Sequence, residues 1–395
     1  MLDPYLTGCI GQLEERIREL RLLIPRNLPR DYDALAQTCR QRLDSVLAVF
    51  RSIRDEPTYR IPVNQPERLR RLRRAISDLD LLETAAVAAL ARATPDDHKL
   101  NAFLEQIARE INYPLVTPVV TTLSQQYFYI HQDLNLLAVP LIEGRFLLHL
   151  PDLYHELAHP LLVVRDEPHV APFQTAFLAA SRDVLEYFYQ ERIKEDRRHG
   201  PSATAQSLEL WQVCWMRAWL IEFFCDLFAT LTLGPAFVWS HLHLTAMRGR
   251  DPFEVPQHAI SSHPADDARM QAMLGALNQL GFTAEASVIE SKWSDLLKQS
   301  LAKQEPEYRR CFPKTLVASL ASHALSGVRD MQCVSVTPDN VTTGVRSTLN
   351  KAWQQFWTSP QTYVEWERAA VAALFEGKTQ AQDFAFQGLA HEKEM

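Results

Sequence analysis

The chain has 395 residues, 47% of them hydrophobic and 23% charged, with 41 basic against 48 acidic side chains and a formal net charge of −7. That much apolar mass excludes a dominantly disordered chain, and the acidic balance disfavours nucleic acid as a partner. Six scattered Cys without a CxxC pair, 12 Gly and 23 Pro without a period exclude a disulfide framework and a low-complexity repeat; a reducing, cytoplasmic setting is the simplest expectation.

Residues 1–112 read as a helical N-terminal region. Leu13, Ile17, Leu20 and Ile24 fall at helical spacing among Glu14, Glu15, Arg16 and Arg18. A second helix is expected over 32–54 and a third over 66–92, with Pro66 in its first turn. Arg68, Arg70, Arg71, Arg73 and Arg74 crowd the start of the third. Such a run either contacts phosphate or an acidic partner or forms a solvated face paired with nearby acids, and the second is expected. From Tyr113 to Leu150 the chain turns rich in β-branched and aromatic residues broken by Pro and Gly, which predicts a small sheet. Leu136–Leu141 is its clearest strand, and Pro140 confines that strand to an edge.

Helices return over 171–192, over 207–233 up to Gly234-Pro235, and over 265–280 up to Gly281, with a loop over 249–264. The remainder to about 376 reads as mostly helical with a loop at 337–343, and the polar tail after Gly377 is expected to fray. The most apolar uncharged stretch, 227–247, is broken by Gly234-Pro235 and carries Ser240, His241 and His243, so no membrane span is expected. No signal-peptide pattern opens the chain. The expected class is mainly α (α+β).

The chemistry concentrates in His155-Glu156-Leu157-Ala158-His159. On a helix the two imidazoles share a face and can hold one metal, and Glu156 can act as general base on a bound water. Pro151-Asp152 supplies an N-cap for that helix. Pro160 should end or kink it near His159. A catalytic zinc needs a third protein ligand, and Glu222 is the candidate. Asp226 follows one turn later in the same apolar helix, placed to accept the second ring N–H of a ligand His. The competing reading pairs Glu222 with Arg217 or Arg248. His263 and Arg269, in Ser262-His263-Pro264 and the residues after it, are candidate oxyanion donors. His241 and His243 read as structural, and His131 as a sheet-edge residue. Nucleophile elbows and phosphate loops are absent.

These three elements in this order resemble the gluzincin metallopeptidases, most closely the family of the heat-shock membrane protease HtpX and the CAAX prenyl endopeptidases. The resemblance covers about 155–270. It implies a zincin-like core over 113–281 between helical regions 1–112 and 282–395. It further implies Zn2+ held by His155, His159 and Glu222, with Glu156 as general base and Asp226 behind the ligands. His263 and Arg269 would then stabilise the transition state. The implied function is a zinc-dependent metallopeptidase acting on a peptide or protein substrate, which an edge strand near 136–141 would bind in extended form. Cys225 departs from the family, which usually has Ala there, and so does the lack of a spanning helix. The alternative is a non-catalytic helical partner-binding or regulatory protein with a vestigial or structural metal site.

Overall fold

The computed structural model describes residues 2–124, 127–199, 203–300 and 303–375; the tail after Gly377 lies outside them. Helices α1 (Leu2–Leu23) and α2 (Asp33–Asp55) pack against each other. In α1 the apolar residues Leu6, Ile10, Leu13, Ile17, Leu20 and Ile24 recur at alternating steps of four and three, which keeps one seam facing the partner helix. Cys39, Leu43, Val46, Phe50 and Ile53 of α2 answer it. Helix α3 (Gln65–Leu81) continues through a π-helical turn, Leu82–Val87, into α4 (Ala88–Ala91).

Helix α5 (Pro95–Glu110) starts with a reciprocal cap: Asp97 N–H donates to Thr94 Oγ1 (3.2 Å) and Thr94 N–H to Asp97 Oδ2 (2.7 Å). The sheet follows, with β1 (Val119–Thr121), β2 (Tyr129–His131) and β3 (Leu136–Ala138) in the order β1-β3-β2. β1 is parallel and β2 antiparallel to β3. The predicted edge strand 136–141 is therefore corrected: it is shorter, it is central, and Pro140 lies beyond its end, where no ladder bond is needed. The outer side of β1 is closed by α5. Asn101 Oδ1 accepts from Val120 N–H (2.8 Å), Asn101 Nδ2 donates to the Val120 carbonyl (3.1 Å), and Asp97 Oδ1 accepts from Thr122 N–H (2.6 Å). The remaining edge belongs to β2.

Eleven further α-helices follow among the described residues. They are α6 (Asp152–Val163), α7 (Ala171–His199), α8 (Ala203–Cys214), α9 (Leu220–Leu233), α10 (Pro235–Arg248), α11 (Asp266–Leu280), α12 (Thr283–Ser300), α13 (Pro306–Cys311), α14 (Lys314–Asp330), α15 (Gly344–Thr358) and α16 (Tyr363–Phe375). A π-helical turn, Trp215–Trp219, joins α8 to α9. Helix α9 is apolar nearly all round and is buried from Phe223 to Leu233, packed against α6, α11 and α14. It stops at Gly234, whose φ of +90° a side chain would oppose, and Pro235 opens α10.

Two apolar cores result. The smaller joins α1–α4; the larger runs from Leu100 to Tyr363. The sheet lies between them because alternate strand residues face opposite ways: Val119 and Leu136 enter the small core, Val120 and Leu137 the large one. Leu100, Phe103, Leu104 and Ile107 place α5 in the larger core, and α12, α14 and α15 share that core with α6 and α9. No described helix is long and apolar enough to cross a membrane.

Candidate metal centre

Helices α6 and α9 lie side by side and carry the candidate donors. The expected Pro151-Asp152 cap is not formed. The first amides of α6 are satisfied by the preceding turn, Leu153 N–H by the Leu150 carbonyl and Tyr154 N–H by the Pro151 carbonyl, both at 3.1 Å. The Asp152 carboxylate instead accepts from the Tyr127 hydroxyl at 2.6 Å. The helix also runs on past Pro160 to Val163, correcting the expected stop near His159. Pro160 removes only one N–H, and its own carbonyl accepts from Val164 N–H (3.0 Å). The Gln174 side chain donates to the Leu161 and Val164 carbonyls (2.9 and 2.8 Å), satisfying acceptors at that helix end.

His155 and His159 present their rings to each other with centroids 5.1 Å apart. His155 Nδ1 donates to Asp226 Oδ1 at 2.9 Å, and its Nε2 lies 3.4 Å from Glu222 Oε2. Two zinc ligands at the usual bond lengths in a tetrahedral shell sit about 3.4 Å apart, so this pair is spaced for one ion. A carboxylate on Nδ1 fixes the ring and directs Nε2 to the metal. Phe237 stacks on the His155 ring (6.1 Å between centroids, 22° between planes).

Asp226 is fully buried, and the Arg269 guanidinium grips it through Nε to Oδ2 and Nη2 to Oδ1, both at 2.6 Å. This fork is the strong bidentate geometry of Arg with a carboxylate. Arg269 is thus turned towards Asp226, behind His155. His263 is exposed at the rim, its Nε2 3.7 Å from Glu222 Oε2 and its Nδ1 2.9 Å from Ser262 Oγ. Neither Arg217 nor Arg248 forms an ion pair with Glu222 among the described residues; Arg248 lies over the Tyr127 ring at 5.5 Å.

Electrostatics follow from burial and these partners. Burial opposes charge on His155, but Asp226 and Glu222 hold its pKa well above the ordinary imidazole value. Burial would also raise Asp226, yet the Arg269 guanidinium, with help from His155, holds it far below the carboxylate range. Glu156 receives no such partner. Burial pushes its pKa up to about 7, with Glu222 and Asp152 adding to the rise and His155 and the Ile130 amide opposing it. Burial and the neighbouring His155 lower His159 to about 4, which leaves it neutral and able to donate a lone pair.

Cys225, which departs from the resembled family's usual Ala, is fully buried in α9. The structure brings its Sγ into a group with His155 and His159 in which the ligand atoms lie within 4.8 Å of one another. It follows Glu222 by three positions, on the same face of α9. Tyr127, Asp152 and Phe237 are the site's other neighbours that spacing alone did not reveal. Asp152 precedes Glu156 by one helical turn, a signal that was available; Tyr127 and Phe237 reach the site from other elements. Among the described residues the ligand atoms that lie mutually close are therefore those of His155, His159 and Cys225, while Glu222 approaches His155 alone, at 3.4 Å, and is not drawn into a group with His159. His241 Nε2 donates to the Asp266 carbonyl (3.1 Å), and His131 lies on the edge strand β2.

No family model matches the chain, and neither a curated protein nor a solved structure matches it.

Proposed function

We propose that the α6–α9 centre is the catalytic site of a zinc-dependent hydrolase that cleaves peptide bonds, built on a zincin-like core as the gluzincin resemblance implies. The observation that carries this reading is the orientation of His155: Asp226 holds Nδ1, and Nε2 faces Glu222 at the spacing of two ligands of one ion. His155, His159 and Glu222 would hold the metal, which when bound supplies a Lewis acid and acidifies a water molecule. Glu156, adjacent to the ligands and free of a strong cationic partner, takes the proton from the attacking water and delivers it to the leaving amine. His263 at the exposed rim donates to the carbonyl oxygen as negative charge builds. Arg269 serves as a positioning residue, acting through Asp226 on the His155 ring. The open edge of β2, whose Ile130 amide faces Glu156, is the natural place for main-chain pairing with an extended peptide.

One observation favours a second reading. Cys225 closes the group of mutually near ligand atoms with His155 and His159, and with Glu222 beside His155 the two adjacent helices carry four potential donors, the number a structural zinc normally takes in a non-catalytic protein. Zinc content per chain, measured beside hydrolysis of a peptide library, separates the two. The hydrolase reading expects Glu156→Gln to keep zinc and lose turnover, Glu222→Ala to lose zinc, and Cys225→Ala to keep both. Loss of zinc from Cys225→Ala as complete as from Glu222→Ala would establish the four-ligand centre instead.

A further inference from the structure

Away from the metal centre, α2, α3 and the turn Pro57–Arg60 enclose an open groove of about 550 Å³. Four guanidinium groups, those of Arg42, Arg70, Arg71 and Arg74, line it against two carboxylates, Glu67 and Asp78. This is a local excess of positive charge on a chain whose formal net charge is −7. The partners of these arginines set them apart from their neighbours. Arg16, Arg18, Arg21 and Arg54 of the same helical unit each reach a carboxylate. In the groove, among the described residues, only Arg70 does, through Glu67 at 2.7 Å.

The other three form no ion pair with a carboxylate among the described residues. Arg71 is fixed against Tyr59, its Nη1 2.5 Å from the hydroxyl and its guanidinium carbon 5.8 Å from the ring centroid. Arg42 donates one N–H to the Asp133 carbonyl at 3.3 Å and keeps its charge uncompensated. Arg74, one turn beyond Arg71 on the same face, has no hydrogen-bond or ion-pair partner among the described residues. The expected solvated face paired with acids therefore holds for Arg70 but not for these three.

We propose that this groove binds a small phosphate-bearing molecule, its phosphate held among Arg42, Arg71 and Arg74. Guanidinium groups match phosphate oxygens with paired, charge-assisted hydrogen bonds, and Arg is the residue best suited to that fork. The groove is larger than a lone phosphate needs, and Val46, Val49 and Ala75 give it an apolar floor. The ligand class is accordingly a phosphate ester with an organic body, in the size range of small-molecule sites. A lipid headgroup offers the same phosphate chemistry, but the proposal is a ligand free in solution.

The test is isothermal titration of the full-length chain with inorganic pyrophosphate in phosphate-free buffer, run beside sedimentation with phosphatidic acid vesicles. Saturable binding is expected, weakened about tenfold by Arg74→Ala through loss of a charge-assisted hydrogen bond. Arg73→Ala, an exposed change outside the groove lining, should leave it unaltered. Arg74→Glu, at the same exposed position, should abolish it. Absence of saturable binding overturns the proposal. So does equal weakening by the Arg73 and Arg74 variants, which would reveal diffuse surface charge, or binding to vesicles alone.

Discussion

Asp226 sits between the His155 imidazole in front and the Arg269 guanidinium behind, and has no exposed surface. Replacing it with Asn would leave the buried Arg269 charge without its partner. Breaking a buried pair in this way costs about 3–5 kcal/mol, so Asp226→Asn should lose roughly that much in a denaturant titration at neutral pH. The pH dependence has a definite sign. Asp226 has its folded pKa depressed, so its contribution is complete above the unfolded value of about 3.9 and is lost as pH falls through the lower folded value. Asp226 also raises the His155 pKa, and that part of its contribution is lost as pH rises through the raised His155 value, so the gap between wild type and variant should be widest between the two values and shrink on either side. At this scale much of the site was legible: positions 155, 156 and 159 share a helix face, and 222 and 226 are one turn apart. The partner of Arg269 was not legible. The guanidinium and Asp226 are 43 positions apart, and an arginine in the first turns of α11 could equally have faced solvent or an oxyanion.

Among the elements, the helices were read more closely than the strands. The apolar seam of α1 and the stop of α9 at Gly234-Pro235 are local properties, set by periodicity and by backbone dihedrals. Strand order is not local. Leu136–Ala138 became central because β1 pairs on one side and β2 on the other, and only then did β2 become the open edge beside Glu156. At the closed side of β1 both main-chain groups of Val120 are held by the Asn101 side chain. Asn101→Ala should leave the buried Val120 N–H and C=O without partners at a cost of about 2–4 kcal/mol. Hydrogen exchange checks this: the Val120 amide should lose protection more than the α9 amides do. Similarly, the extension of α6 past Pro160 rests on Gln174, which approaches from α7. A substitution pattern confined to 151–165 could not have predicted it.

Across the whole molecule, the sheet joins two cores that pack independently on its opposite faces. Leu43 is fully buried in the smaller core, away from the α6–α9 donors. Leu43→Ala should lower stability by about 2–5 kcal/mol through the cavity it leaves, while zinc per folded chain stays at the wild-type level. A parallel fall in zinc content would mean that the smaller core holds the donors in place. Spacing along the chain was enough to name the imidazoles, the carboxylates and most helices, because a helix brings residues three and four positions apart together wherever it forms. Which groups then meet was a matter of packing. His155 and Asp226 are 71 positions apart, and their hydrogen bond exists because α6 lies against α9. The same packing turned Arg269 inward, drew Cys225 towards the histidines and left three groove arginines without a carboxylate. Each of these depends on which surfaces bury each other, and that is a property of the folded chain as a whole.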